Sequence, residues 1–556
     1  MTSRLFSILL ALCLSIGFAG CSKDNSEPKT RGASKKVDPM LATVPAETNY
    51  FANIDLSVLP DALKTQGKAA LTKNAEFKET LAALKTSTVP SERFAGIMLD
   101  AIITNYLDGT MAKMGMSNQP RAVLYGLGMW PAVTVQIDNQ KAFESWLNEQ
   151  EKAAKISAKI ETLNQKTYRI YPIEEEVFSA LAIHEKTITF AVVPVELKAQ
   201  QMPYVLKDKF PTKTLNDTDT VTKLAKEHGL NTKSFAFLNI VDFFKTLASR
   251  GEGLNKTFVV KEMSNFNLDK ICQDEVIGLL NSAPRIVAGM DTVSTSETSA
   301  RIIWEMENAL ATELMSIAAA TADKGASGGL ASFSVAFDSG KSIDLFRKKA
   351  AALSAAPFKC KDLQQFNQEV AKANGQLMFV PPFARAFKGI QVNISEIGTG
   401  SAGLDVSANL VLTVENAPLV LDAIKGMLPM LAALPKMKPD GVPLPLNQFP
   451  VPAFAQNPHI ALGKNSLGLS IGANEKTRLQ NIVSGSATKA SPFLSISYDF
   501  DKILTALKAA QSTNPDATAA VKEFTKLGLQ GSSSSEVEFT KKGLQMRTQT
   551  KFKVKP

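Results

Sequence analysis

The stretch that decides the fold is VTVQIDNQKAFESWL, residues 133–147, where alternating apolar and polar residues give way to a helical spacing. Apolar residues at every second position favour a strand with one apolar face. The later Phe143, Trp146 and Leu147 would form the apolar stripe of a helix. The sequence therefore predicts a strand followed directly by an amphipathic helix.

The same pattern returns in the C-terminal part of the chain, in LVLTVENAPLVLDAI, residues 410–424. Asn139 aligns with Asn416 at the junction, where a side-chain oxygen can cap the first helical turn. The repeated junction indicates that the strand-to-helix unit occurs twice in the chain.

Two further pairs of segments follow in the same order in both parts of the chain. AIHEKTITFAVV (182–193) matches ALGKNSLGLSI (461–471) at nearly the same offset as the first pair. FAFLNIVDFFKTL (235–247) matches FLSISYDFDKIL (493–504), with Asp242 aligned to Asp499. The starts near Tyr50 and Phe333 also agree in kind. Ordered self-similarity of this kind indicates an internal duplication.

We therefore predict an α+β fold with two duplicated halves, each a largely antiparallel sheet with helices packed on one face. The predicted organisation is a signal peptide (1–20), a lipidated cysteine with a flexible tether (21–40), a first half (41–310), a linker (311–330) and a second half (331–556).

The N-terminus carries Arg4, an apolar run from Leu5 to Phe18 and then Ala19-Gly20-Cys21. The run is too short to span a bilayer, which needs about 20 apolar residues, and it is typical of a secretory signal. This segment resembles a bacterial lipoprotein signal with its lipobox. The resemblance implies that Cys21 becomes the acylated first residue of the mature protein and anchors it to a membrane.

The segment Ser22–Asp38 is polar and lacks large apolar residues before Val37, which favours a disordered tether. Ser22, in place of Asp, favours the outer membrane over retention in the inner membrane. We expect a cell-envelope location, facing the periplasm.

The formal net charge of +9 is small for 556 residues, and few aromatic residues lie among the basic ones. This composition does not favour nucleic-acid binding. Cys272 and Cys360 remain once Cys13 leaves with the signal and Cys21 is acylated. In an oxidising compartment they could form a disulfide or stay as two buried thiols.

No cofactor, metal or catalytic site is predicted. The string GTGSAG (398–403) matches a dinucleotide fingerprint, but strands flank it on both sides, so it predicts a hairpin. The three histidines show no metal-binding spacing, although Asp or Glu could still serve as a general base.

The segment 426–458 is rich in proline, and apolar residues lie between the prolines. The same position in the first half holds ordinary helix and strand residues, so the fold does not require this chemistry. A packed lid is the alternative to an interaction surface. The candidate surface residues are Met427, Met430, Leu431, Phe449 and Phe454.

The expected function is a non-enzymatic envelope lipoprotein that binds or scaffolds a protein or an envelope polymer. One alternative is a carrier of a lipid or other apolar ligand in a groove between the halves, lined in part by Met111, Met114 and Met116. A hydrolase of unknown type is the third alternative. The sequence does not predict an oligomeric state.

Overall fold

The computed structural model describes thirteen stretches of the chain. They are residues 38–58, 75–261, 268–294, 296–321, 329–400, 403–427, 431, 433–447, 449, 455–485, 490–511, 515–527 and 530–552. The predicted signal, Cys21 and the tether up to residue 37 lie outside the described residues.

The strands are numbered in chain order. They are β1 (Tyr50–Asp55), β2 (Arg121–Leu127), β3 (Trp130–Gln136), β4 (Lys159–Leu163), β5 (Lys166–Glu174), β6 (Val177–Ile183), β7 (Thr187–Pro194), β8 (Ser234–Asn239), β9 (Arg285–Val293), β10 (Glu297–Glu305), β11 (Ala331–Ala336), β12 (Phe387–Gly400), β13 (Gly403–Val414), β14 (Leu444–Pro445), β15 (His459–Leu462), β16 (Ser466–Ile471), β17 (Leu494–Asp499), β18 (Ser532–Thr540) and β19 (Gly543–Lys551).

The α-helices are numbered in the same way. They are α1 (Ala75–Lys85), α2 (Pro90–Leu107), α3 (Gln140–Ala154), α4 (Lys198–Val205), α5 (Thr220–His228), α6 (Ile240–Leu247), α7 (Leu254–Thr257), α8 (Lys270–Asn281), α9 (Asn308–Ser316), α10 (Ser339–Ala355), α11 (Lys361–Gln376), α12 (Pro382–Arg385), α13 (Ala417–Met427), α14 (Glu475–Val483), α15 (Phe500–Ala510) and α16 (Pro515–Leu527). Short 3-10 turns cover Leu41–Thr43, Leu56–Val58, Met111–Met114, Val195–Leu197 and Leu377–Phe379.

The described chain forms two compact units. The first contains the residues up to Leu268 together with Pro284–Ile302, and the second contains Asp269–Ala283 and the residues from Ile303 onward. Helix α8 therefore belongs to the second unit, although the sequence analysis assigned its residues to the first half. One reason is a covalent bond, because Cys272 of α8 forms a disulfide with Cys360.

Both units contain an antiparallel sheet. In the first unit the strand order is β9-β8-β1-β2-β3-β7-β6-β5-β4, with β10 beside β9. In the second unit the order is β19-β18-β17-β11-β12-β13-β16-β15-β14. The predicted mixed fold with largely antiparallel sheets is confirmed.

Helices cover both faces of each sheet, so the expectation of one covered face is wrong. In β6 of the first unit, Ala180 and Ala182 join one core cluster whereas Leu181 between them joins another. In β13 of the second unit, Val411 and Leu412 likewise contact different clusters. Successive strand residues point to opposite faces, and both faces carry apolar residues that need cover.

Side-chain caps begin several of the helices that follow strands. Asn139 accepts a hydrogen bond from the Ala142 N–H at 3.1 Å, and Asn416 accepts one from the Leu419 N–H at 3.2 Å, as the sequence predicted. Helices α6 and α15 are capped by Asn239 and Asp499. The cap geometry thus pairs Asp499 with Asn239 and not with Asp242, which lies in the first turn of α6.

Within the GTGSAG string, Gly400 at the end of β12 pairs with Gly403 at the start of β13. The prediction of a hairpin at this position is confirmed. A dinucleotide fingerprint requires a helix directly after the glycines, and a strand follows here instead.

Candidate functional site

The sheet of the second unit has one apolar face on which neighbouring strands place large side chains side by side. The backbone register puts Ile496, Phe333, Val392, Leu410 and Leu469 in one continuous row across five strands. Directly opposed residues of paired strands lie on the same face. The row is therefore a single apolar surface.

Part of this surface is open to solvent. Phe333, Leu410 and Leu469 are 40%, 36% and 39% exposed, and Tyr498, on the same face of β17, is 44% exposed. We call these four residues the open face. Exposed and contiguous apolar side chains of this size mark interaction sites in soluble proteins.

The rest of the apolar face is covered. Helix α13 packs there through Val420 and Leu421, against Leu412 and Leu467 of the sheet. The cover ends before Leu410 and Leu469, which lie one position further along the same face of these strands. The open face is thus the uncovered remainder of a core surface.

The opposite face of the same strands is largely polar, and Val411 is an apolar exception where it packs against α14. Its central row consists of serine and asparagine residues from five strands, namely Ser497, Ser332, Asn393, Asn409 and Ser470. Asn393, Asn409 and Ser470 of this row are buried. Buried polar groups are stable only when hydrogen bonds replace those to water.

A buried carboxylate supplies part of this replacement. Glu475, at the start of α14, accepts hydrogen bonds from Ser395 Oγ and Asn409 Nδ2. Arg478 Nη1 lies 4.0 Å from Glu475 Oε1 and neutralises its charge. The polar face is therefore an interior hydrogen-bond network and not an open binding groove.

A polar cleft lies at one end of this face. The sheet contributes Thr413 and Ser466 to its wall, and the C-terminal end of α14 contributes Val483. Its lining includes three acidic and three basic residues, namely Asp338, Glu415 and Asp440 with Lys341, Lys388 and Lys464.

An ion pair dominates the electrostatics of this cleft. Lys388 Nζ lies 2.6 Å from Asp338 Oδ2 and 3.9 Å from Glu415 Oε2. Burial raises the pKa of Asp338, but the Lys341 N–H and the Lys388 ammonium outweigh burial and hold that pKa below its ordinary value. Asp338 also caps α10, so its charge has a structural role already.

The predicted interaction surface divides into three groups. Met427 is 63% exposed, at the end of α13. Leu431 and Phe449 are partly buried against the cluster that contains Leu421 and Ile460. Met430 and Phe454 lie outside the described residues. The described part of the segment therefore packs as a lid, with Met427 as its exposed end.

Cys272 and Cys360 are joined in a disulfide, with their Cα atoms 4.5 Å apart. Asp362 lies near both sulfur atoms. Sulfur atoms joined to each other have no thiolate to offer a metal, so this group is a cross-link and not a metal site. The carboxylate of Glu275 accepts the N–H groups of Lys359 and Cys360 and fixes the same junction.

The sequence alone did not reveal the open face. Its residues alternate with polar ones, a pattern that also describes a strand with one covered face. The methionines assigned to a groove, Met111, Met114 and Met116, are instead buried in the core of the first unit. None of the described helices combines the length and apolarity needed to cross a bilayer.

Neither protein-family models, nor curated proteins, nor solved structures give a match to this chain.

Proposed function

We propose that the protein is a non-enzymatic lipoprotein of the cell envelope that binds a protein partner through the open face of its second unit. The observation that supports the proposal is the exposed apolar row around Phe333 and Leu410. A lipid at Cys21 would hold the body at the membrane, in the outer membrane and on its periplasmic side.

A protein partner fits this surface better than a glycan polymer. Protein interfaces are centred on buried apolar and aromatic side chains, and Phe333 and Tyr498 are of that type. The polar hydrogen-bonding groups that a glycan would need are on the opposite, interior face of the same strands.

An apolar ligand is the second candidate, and one observation favours it. The row that contains Ile496, Val392 and Leu410 carries aliphatic side chains on most of its strands. A lipid chain could lie along it without unsatisfied polar groups. This face would hold the ligand, because the methionines of the first unit are buried in its core.

A photo-crosslinking amino acid at position 333 separates these candidates in intact cells. We expect a discrete protein adduct from position 333 and none from Glu185, an exposed turn residue of the first unit that serves as control. Lipid adducts in place of protein adducts would favour the carrier. Equal labelling from both positions would contradict a binding role for the open face.

The membrane anchor has its own test. Cys21→Ala should move the protein from the membrane fraction to the soluble fraction while leaving its melting temperature unchanged, because the sequence places Cys21 before the two halves. A variant that stays with membranes after a high-salt wash would contradict the lipoprotein assignment.

We also propose that the two units arose by duplication. Reading β1 as the counterpart of β11, the first-unit order β9-β8-β1-β2-β3-β7-β6-β5 corresponds strand for strand to the second-unit order β18-β17-β11-β12-β13-β16-β15-β14. Strand β4 is an addition at the edge of the first unit.

Backbone hydrogen bonds outside the regular ladders support the same correspondence. The bond from the His184 N–H to the Thr187 carbonyl has its counterpart in the second unit, from Gly463 to Ser466, and both are 2.8 Å long. Further pairs occupy corresponding junctions: Ile137 to Lys186 with Val414 to Asn465, Asn239 to Asn49 with Asp499 to Leu330, Ile240 to Pro284 with Phe500 to Gly531, and Asp138 to Gly115 with Glu415 to Ala386.

An experimental structure tests the duplication directly. Residues 133–138 and 410–415 should superpose when the two units are overlaid through their remaining strands. Unrelated positions for these two segments would contradict the proposal.

A further inference from the structure

The helix pair α10–α11 of the second unit leads into the most exposed large apolar side chains among the described residues. Helix α11 has no buried residue along its whole length. The 3-10 turn after it exposes Met378 to 75% and Phe379 to 87%. Apolar groups this exposed cost solubility and need a reason.

The backbone beneath these two side chains is held in place. Arg347 of α10 donates a hydrogen bond from Nη2 to the Leu377 carbonyl at 2.8 Å. Pro381 and Pro382 follow closely and restrict the backbone. Arg385 is tied to Asp344 of α10 at 2.8 Å. Met378 and Phe379 therefore project from a fixed turn.

The surrounding segment is strongly basic. Residues 339–388 contain nine basic and three acidic side chains, a net +6 out of +9 for the whole chain. Lys348 and Lys349 lie directly after Arg347, and their side chains are 70% and 52% exposed, although both contact Glu313. The segment that carries the exposed turn is thus net positive.

We infer that this segment is a second membrane contact, in which Met378 and Phe379 enter the interface of an anionic phospholipid bilayer. Peripheral membrane proteins combine apolar side chains with basic ones. The apolar groups insert among the acyl chains, and the basic groups bind the anionic headgroups. The charge favours a lipid surface over an apolar protein partner. The contact is independent of both the open face and the acyl group.

Vesicle sedimentation tests the inference on the full chain carrying Cys21→Ser, which cannot be acylated. We expect binding to mixed vesicles of phosphatidylcholine and phosphatidylglycerol, and about tenfold weaker binding for Met378→Ser/Phe379→Ser. The matched control is Leu419→Ser, a 63% exposed apolar residue of the same unit, which should bind like the parent. The signal segment is present in all variants, so its contribution to vesicle binding is the same in each comparison.

A single-site probe covers the case in which the double variant fails to fold. In Phe379→Trp, brominated anionic lipids should quench emission beyond the quenching of the parent, whose tryptophans are Trp130, Trp146 and Trp304. Quenching of the new tryptophan supports insertion. Unchanged emission with brominated vesicles, or equal binding of a folded double variant and its parent, overturns the inference.

Discussion

The strands β1 and β11 occupy corresponding positions in their sheets but bury very different amounts of side chain. Strand β1 buries Tyr50, Phe51 and Asn53, whereas β11 buries only Ala336. Phe51 stands beside Tyr125 and Phe237 in an apolar cluster. The corresponding face of β11 presents Ser332 and Ser334. One strand order therefore supports an apolar interior in one unit and a polar interior in the other.

The difference teaches that strand order does not determine which face becomes the core. In the first unit α4 and α5 bring Met202, Val205 and Leu224 onto the Phe51 face. In the second unit α14 brings the carboxylate of Glu475 onto the polar face. The covering helices differ together with the strands, and the part of the apolar face that α13 does not cover is accessible.

The disulfide should have the largest effect, and it is located in the unit with the sparser core. Cys272→Ser with Cys360→Ser opens a link between residues 88 apart. On the chain-entropy model the loss is about 4.6 kcal/mol of unfolding free energy. Urea unfolding with and without reductant measures it. A reductant-insensitive midpoint would show that the link adds nothing.

Phe51→Ala should cost about 3 to 5 kcal/mol because it empties a buried aromatic site. Phe333→Ala should cost far less, because its side chain is 40% exposed. Chemical unfolding of the two variants gives the comparison. Equal losses would mean that the open face is part of a core after all.

Glu475→Ala should cost about 1 to 3 kcal/mol, since it removes the acceptor of the buried Asn409 amide, whereas Ser395 Oγ can still donate to the Ser407 carbonyl. Glu475→Gln keeps one carbonyl acceptor and should be milder. Thermal melts of both variants measure the difference. A stable Glu475→Ala protein would contradict a network role for this residue.

The smallest effect concerns pH and the first unit. Burial, followed by the nearby Lys207 ammonium, lowers the pKa of His184 to about 4. The unfolded chain binds the proton near pH 6.5 and the folded protein does not, so stability should fall as pH drops from about 6.5 to 4. His184→Gln should flatten this fall relative to the parent in melts across that range. An unchanged slope would show that His184 does not cause the fall.

Alternation and capping residues allowed the strand-to-helix junctions at Asn139 and Asn416 to be predicted, because both signals are local. The accessible side of β11 could not be predicted, because it depends on helices that are distant in sequence. The same reason explains the Pro-rich segment, where Leu431 and Phe449 look like surface anchors by composition and yet pack against α13.

Edge strands β14 and β4 disfavour pairing between copies of the protein. Strand β14 is only Leu444–Pro445, and proline has no N–H with which to bond another strand. In the first unit β4 carries Lys159 and Glu161, charges that discourage strand-to-strand docking. Where copies of a protein meet often, edges of this kind keep such encounters from growing into polymers.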